Sequence, residues 1–204
     1  MVKIICRIIY ALKYKISRLL GVIYTKFQLV GNGVCYQRYR IVGSPIINVK
    51  AHGKITFGDN LMMNNGLLDN QIGFNSPCVF RAINGEITLG NNVGLSQATL
   101  VAYNADISVG NNVRIGGGVK IYTTDFHSLD YTLRRDYQID AKNMKCAPVS
   151  IGDDCFIGAG TIILKGVQIG PRSVIGAGSV VTRNIPNDVV AGGNPCVVLR
   201  KINN

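Results

Sequence analysis

Residues 151–186 repeat with a period of six. Ile151, Ile157, Ile163, Ile169, Ile175 and Val181 are β-branched aliphatics spaced six apart, and Gly152, Gly158, Gly170 and Gly176 follow four of them. Four residues after each aliphatic stands Cys155, Thr161, Val167, Ser173, Ser179 or Ile185, mostly small side chains. Helices repeat near ~3.6 residues and strands near ~2, so a period of six fits neither. It is the period of a parallel β-helix, in which each hexad makes one short face and its aliphatic points into the core.

The repeat continues upstream in broken form, through Val109, Ile115 and Ile121, then Leu89, Leu95 and Val101, and first at Phe57 and Met63. A longer repeat locks these together. Gly53-Lys54-Ile55-Thr56-Phe57-Gly58 recurs in kind from Gly85, Ala105 and Ala147, at intervals of 32, 20 and 42 residues. Three hexads and a two-residue corner make 20, so the other intervals are single coils carrying about 12 and about 22 inserted residues. A stacked core cannot absorb insertions, so they leave from corners as loops. The expected architecture is five coils from Phe57 to Pro186 with a rougher one before them. At ~4.8 Å per stacked strand the prism is roughly 25–30 Å tall, and its longer loop spans about residues 125–146.

The stretch from Ile175 to Pro186, Gly193-Asn194-Pro195 after it and the hexads before it resemble the hexapeptide-repeat acyltransferases, over roughly residues 45–201. The resemblance implies an all-β fold, a left-handed, three-sided parallel β-helix, against the usual right-handed crossover. It also implies a homotrimer with its site in the groove between two subunits, acetyl-CoA as cosubstrate and no metal.

Charge divides the chain. Residues 1–58 carry ten Lys/Arg and no acid, while residues 59–204 carry twelve against eleven acids, so the net +11 belongs to the N-terminus. This argues against a nucleic-acid surface spread over the fold. In residues 1–28, Ile5, Ile8, Ile9, Leu12, Ile16, Leu19 and Ile23 share one helical face, with Lys3, Arg7, Tyr14 and Arg18 opposite. A basic amphipathic helix of this kind reads as a peripheral membrane contact. The alternative is a cap on the end of the solenoid, which such folds need. Residues 29–204 are then the β-helix domain. None of the cysteines at 6, 35, 78, 146, 155 and 196 has metal-ligand spacing, and no signal peptide is recognised. The expectation is a cytoplasmic protein with reduced thiols.

There are two histidines. His127 follows Thr123-Thr124-Asp125-Phe126 where the longer insertion leaves its coil, and an imidazole suits a base working near neutral pH. The resemblance implies that this histidine deprotonates an acceptor hydroxyl or amine, which then attacks a thioester. The alternative is a loop histidine that only hydrogen-bonds locally. Asp125, Asp130, Asp136 or a backbone carbonyl is placed to hold its second ring nitrogen, and Asp125 is the expected one. His52, at the corner before the first clear coil, reads as structural or exposed. The carbonic anhydrases on this fold resemble it less well, since they require three histidine ligands.

Gly158-Ala159-Gly160 and Gly176-Ala177-Gly178 are either what tight corners require or places where a ligand approaches the backbone closely. By resemblance, Ala159 and Ala177 line the pantetheine arm of coenzyme A. Thr182 and Arg183 then meet its nucleotide end, and Arg200 adds charge for the phosphates. Phe156 stands where galactoside and maltose acetyltransferases often carry tryptophan. Their acceptor-binding asparagine has no clear match; Ser96 or Gln97 falls nearest. The function expected is O-acetylation of a sugar or glycan acceptor in surface polysaccharide biosynthesis. The alternatives are N-acetylation of an amino sugar or xenobiotic amine, and a non-catalytic β-helix used for binding or assembly.

Overall fold

The computed structural model describes residues 2–66, 70 and 72–202. Helix α1 (Val2–Gly31) is followed, among these residues, by nineteen strands in three sheets of eight, six and five strands. The chain visits the sheets in turn, and up to Val180–Val181 each strand pairs in parallel with the third strand after it. In the last coil Ile185 keeps the third face by a single bridge to Ile169, so Val174–Ile175 pairs with the second strand after it, Val189–Gly192, and the last strand, Val197–Lys201, turns back antiparallel on that one.

Register stacks the hexad aliphatics into columns. Phe57, Leu89, Val109, Ile151 and Ile169 align in the five-stranded sheet. Ile47, Phe80, Leu100, Ile121, Ile163 and Val181 align in the six-stranded sheet. Leu100 therefore takes the inward place expected for Val101, which lies level with Arg81 and Tyr122 instead. Met63, Leu95, Ile115, Ile157 and Ile175 align in the eight-stranded sheet. All residues of the three columns are buried, as are the small second positions from Cys155 to Ile185. Aliphatics stacked from coil to coil leave little void between layers, which is where most of the stabilisation arises.

Five coils begin at Leu61, Gly94, Arg114, Phe156 and Val174, and a first one spans Tyr39–Phe57. The shorter insertion leaves between Leu61–Asn64 and Val79–Ile83, the longer between Lys120–Tyr122 and Val149–Ile151. The repeat region is built of strands. Outside it lie α1, of 30 residues, and helix α2 (Tyr137–Asn143) in the longer insertion. The chain as a whole is therefore not all-β.

The corner between the five- and eight-stranded sheets explains a pattern that periodicity alone passes over. Asn60, Asn92, Asn112, Asp154, Arg172 and Asp188 all sit there with φ between 57° and 59°. Asn and Asp tolerate this left-handed region better than other side chains. Asn60 Nδ2 donates to Asn92 Oδ1 (2.9 Å), Asn92 to Asn112 (3.0 Å), and Asn112 to Asp154 (3.1 Å). The corner is thus sewn from coil to coil by side chains.

Helix α1 ends in a Schellman motif. Gly33 has φ +62°, its N–H donates to Val30 O (3.0 Å), and the Val34 N–H donates to Leu29 O (3.0 Å). Leu29 and Val34 are both buried beneath it. The helix docks on the first coil through Gly21, Thr25 and Leu29, four residues apart. A Cβ at Gly21 would stand 3.3 Å from the Gly43 carbonyl oxygen, to which Thr25 Oγ1 donates (3.3 Å). The cap is therefore made by a face with almost no large apolar side chains. The Ile5–Ile23 face, for which a cap on the solenoid was the alternative, is exposed.

Candidate active site

The longer insertion is pinched shut at its root. Asp125 N–H donates to Lys145 O (3.1 Å) and Ala147 N–H to Thr123 O (2.9 Å). Thr123 and Thr124 are buried, and Thr123 Oγ1 accepts from Tyr103 N–H (2.8 Å). Phe126 then takes φ +65°, a left-handed conformation unusual for a bulky residue. Its N–H donates to Thr124 Oγ1 (3.1 Å), and its ring stands edge-on to Tyr122 at 5.2 Å. This turn throws the next side chain, His127, outward from the corner.

His127 is met by a carboxylate from the far side of the loop. Its Nδ1 lies 2.6 Å from Asp140 Oδ2, and Asp140 Oδ1 accepts from the Ser128 N–H at 2.6 Å. Asp140 is buried and sits in α2, whose N-cap Asp136 accepts from the Gln138 and Ile139 N–H groups. Arg134 Nη1 closes the arrangement by donating to Ser128 O (2.6 Å) and Leu129 O (2.8 Å). The bond to His127, and then that to the Ser128 N–H, holds the Asp140 carboxyl below the usual carboxylate range, outweighing its burial. An ionised Asp140 can only accept, so Nδ1 carries a proton, and in the neutral ring the lone pair is on Nε2. The imidazole side chain is 69% exposed, which leaves Nε2 open to a reacting group.

Asp125 is not the orienting carboxylate. Its Oδ1 accepts from Lys165 Nζ at 2.7 Å, on the corner of the next coil, and its Oδ2 is buried with no partner among the described residues. Two residues of separation put it on the other side of the Phe126 turn, where it ties the loop root to the solenoid. Asp130 is also spent locally, accepting from Thr132 N–H (2.8 Å) and Oγ1 (2.6 Å). The signal that could have found Asp140 is weak. It lies thirteen residues from His127, inside a segment without repeats, and only the helix begun by Asp136 brings it back.

Gln97 is likewise consumed by the scaffold. It is buried, and its Nε2 faces the carbonyls of Gly66 (3.2 Å), Asn70 (3.3 Å) and Phe74 (2.6 Å), so it fastens the shorter insertion. His52 is exposed at its corner.

The residues expected to meet coenzyme A lie on other corners. Ala159 and Ala177 stack between the eight- and six-stranded sheets. A Cβ on Gly116 or Gly158 would come within 2.6 or 2.5 Å of their backbone nitrogens. Gly160 and Gly178 both have φ +71°, and their N–H groups bond to Gly117 O and Ala159 O, at 2.8 Å each. The glycines are thus required by the corner, and the resulting edge is also smooth. Beside it, half-exposed Phe156 borders a shallow cavity of about 290 Å³ with Asn64, Ser96 and Arg114. Thr182 and Arg183 are exposed at the C-terminal end of the strand Val180–Val181. Arg200 is exposed on the antiparallel final strand, with Nη1 on the Lys201 carbonyl (3.3 Å). His127 and the alanine edge flank opposite sides of the six-stranded sheet, so one chain does not bring them together. Among the described residues there is no cluster of metal-ligating side chains.

Comparison with known proteins supports the resemblance. Residues 148–183 match the family model for the hexapeptide repeat of succinyl-transferase. The galactoside O-acetyltransferase of Escherichia coli is 36% identical over 119 residues, 56% of each protein. The chain spans little more than half the length of the first curated relatives it matches. A hexapeptide-repeat acetyltransferase of Vibrio cholerae, solved with acetyl-CoA, is 27% identical with a TM-score of 0.57, over 88% of this chain and 76% of that one. A maltose O-acetyltransferase of Clostridium difficile is 26% identical with a TM-score of 0.57, over 96% of this chain and 89% of that one.

Proposed function

We propose that this protein is an acetyl-CoA-dependent O-acetyltransferase acting on a sugar hydroxyl in surface glycan biosynthesis. The observation that carries the reading is the pair His127 and Asp140, a base with one nitrogen held and the other exposed, at the mouth of a loop on a rigid prism. The relatives and solved structures named above are sugar acetyltransferases or were solved with acetyl-CoA, which supports the same chemistry here.

In this reading the prism is left-handed and the protein is a cytoplasmic homotrimer. Assembly in threes sets the His127 edge of one subunit against the alanine edge of the next, which accounts for their separation within a chain. The small-residue edge fits a long thin arm lying close to the backbone. Ala159, Ala177 and Phe156 would hold that arm, with Thr182, Arg183 and Arg200 at its anionic end. Acetyl-CoA supplies, when bound, an acyl group activated as a thioester. His127 Nε2 takes the proton of the acceptor hydroxyl, raising its nucleophilicity, while Asp140 steadies the imidazolium that forms. The Asp125–Lys165 pair keeps the loop root fixed, so the imidazole is presented at one height along the prism.

The test is thiol release from acetyl-CoA in the presence of free sugars, amino sugars and aromatic amines, for the wild type and His127→Ala. Transfer to a sugar that falls ~10²–10⁴-fold in the variant, the usual contribution of a general base, is the expected result. Transfer only to amines would replace the hydroxyl acceptor with an amine. Unchanged transfer in the variant would remove His127 from the mechanism.

A further inference from the structure

Helix α1 carries two faces with different fates. The face of Gly21, Thr25 and Leu29 is spent on the first coil. On a helical wheel of ~100° per residue, Lys3, Arg7 and Arg18 continue that same side along the part of the helix that overhangs the solenoid. The opposite side runs the whole length of the helix as Ile5, Ile9, Leu12, Ile16, Leu19, Ile23, Phe27 and Val30. Each is roughly half to two-thirds exposed, up to 71% at Phe27. Lys15 and Lys26 stand at one border of this apolar side. At the other border it deepens into an open groove of about 970 Å³ between Leu20, Tyr24, Phe27 and Ser44.

We propose that this face docks on the surface of an anionic lipid bilayer, with the helix in the plane of the interface and the solenoid held on the aqueous side. This deepens the glycan-assembly reading by naming the surface on which the enzyme works, and it stands on α1 alone. The choice of lipid over a second copy of the chain comes from charge. Residues 2–31 contain six Lys/Arg and no Asp or Glu. Packing this face on its own copies would bring Lys15 and Lys26 together with no opposing acid. Against anionic headgroups the same side chains lie along the interface, their stems on the apolar side and their charges in the headgroup layer. The helix lies on the membrane and does not cross it, since no helix among the described residues is long and apolar enough to span one. The docking face and the solenoid face are opposite, so burying one leaves the other intact.

The experiment is sedimentation of the full-length protein with vesicles of phosphatidylcholine alone or with about one third phosphatidylglycerol. Two variants are compared, Ile9→Glu/Ile16→Glu and Lys15→Glu/Lys26→Glu. Both alter exposed positions, and unchanged thermal midpoints and acetyl transfer to a free sugar verify the body of the enzyme. Binding to the anionic vesicles, at least tenfold weaker in either variant and weakened by salt, is the expected result. Equal binding to both vesicle types would overturn the anionic partner. No vesicle binding, with an oligomer that dissociates in Ile9→Glu/Ile16→Glu, would overturn the proposal in favour of helix-to-helix packing. Loss of acetyl transfer with vesicle binding intact would strike the catalytic reading and leave this one standing.

Discussion

His127 is held through one ring nitrogen and presented through the other, so the two sides of the ring answer to different substitutions. Asp140→Asn keeps the shape of the site but accepts at one oxygen only and loses its charge. It should lower turnover with little effect on the Michaelis constant for acetyl-CoA, by less than the ~10²–10⁴-fold expected for removing the base itself. Steady-state kinetics with both substrates varied would show this, and a rise in that constant alone would mean a merely structural carboxylate. Asp140 also anchors the loop through the Ser128 N–H. Its carboxyl is depressed in the folded state, so this contribution is complete above the ordinary carboxylate range and is lost only as pH falls through the depressed value. Proteolytic protection of the loop should therefore be flat from about pH 8 to about pH 5 and fall only in stronger acid. The histidine was legible in the sequence because it sits at the root of an interruption in a regular repeat. Its partner was not, because a short capped helix sets that distance and no periodicity reaches into the insertion. Adjacency favoured Asp125, but the left-handed Phe126 turn sends neighbouring side chains to opposite sides.

At the level of the element, the hexads told nearly everything about the coils. Apart from Val101, whose inward place Leu100 takes, each aliphatic at the six-residue spacing stands in an inward column, because a three-sided coil has only one such column per face at that phase. The corners were less legible, since Asn and Asp at loops usually signal nothing beyond solvent. Here their conformation and their amides can be separated by experiment. Asn92→Gly removes two ladder hydrogen bonds yet accommodates the φ of 57°. Asn92→Ala removes the same bonds and adds strain, so it should be less stable than the glycine variant by roughly 1–2 kcal/mol in urea unfolding. Gly158→Ala tests the opposite problem, a close approach. Its new Cβ would meet the Ala177 backbone nitrogen at 2.5 Å, and stacked coils cannot part locally. A loss of roughly 1–3 kcal/mol is expected, as for other overpacked interiors. The N-terminal helix was read correctly as amphipathic, but which face would dock depended on a glycine and a threonine that no hydropathy pattern marks.

Taken whole, the molecule is a stack in which each coil touches chiefly its neighbours, and its thiols report on that stack. Cys78, Cys155 and Cys196 are buried, and burial pushes the Cys78 thiol up to about 12 and the other two upward. In a native thiol titration near pH 8 these three should stay silent while exposed Cys6 and Cys35 react. Early reaction of Cys78 would show that the second coil opens without global unfolding. The hexads carry neither handedness nor subunit number, which rest on resemblance alone, because a period of six is the same in a coil and its mirror image. The ladder at the corner adds a property of the whole stack. Every rung points the same way, each amide giving its hydrogen to the following coil, and the run ends on Asp154, whose carboxylate can only receive. The stack therefore has an arrow as well as a spacing. Beyond Asp154 the same corner changes its chemistry, with Arg172 donating to Asp188 through Nε (2.5 Å) and Nη2 (2.7 Å).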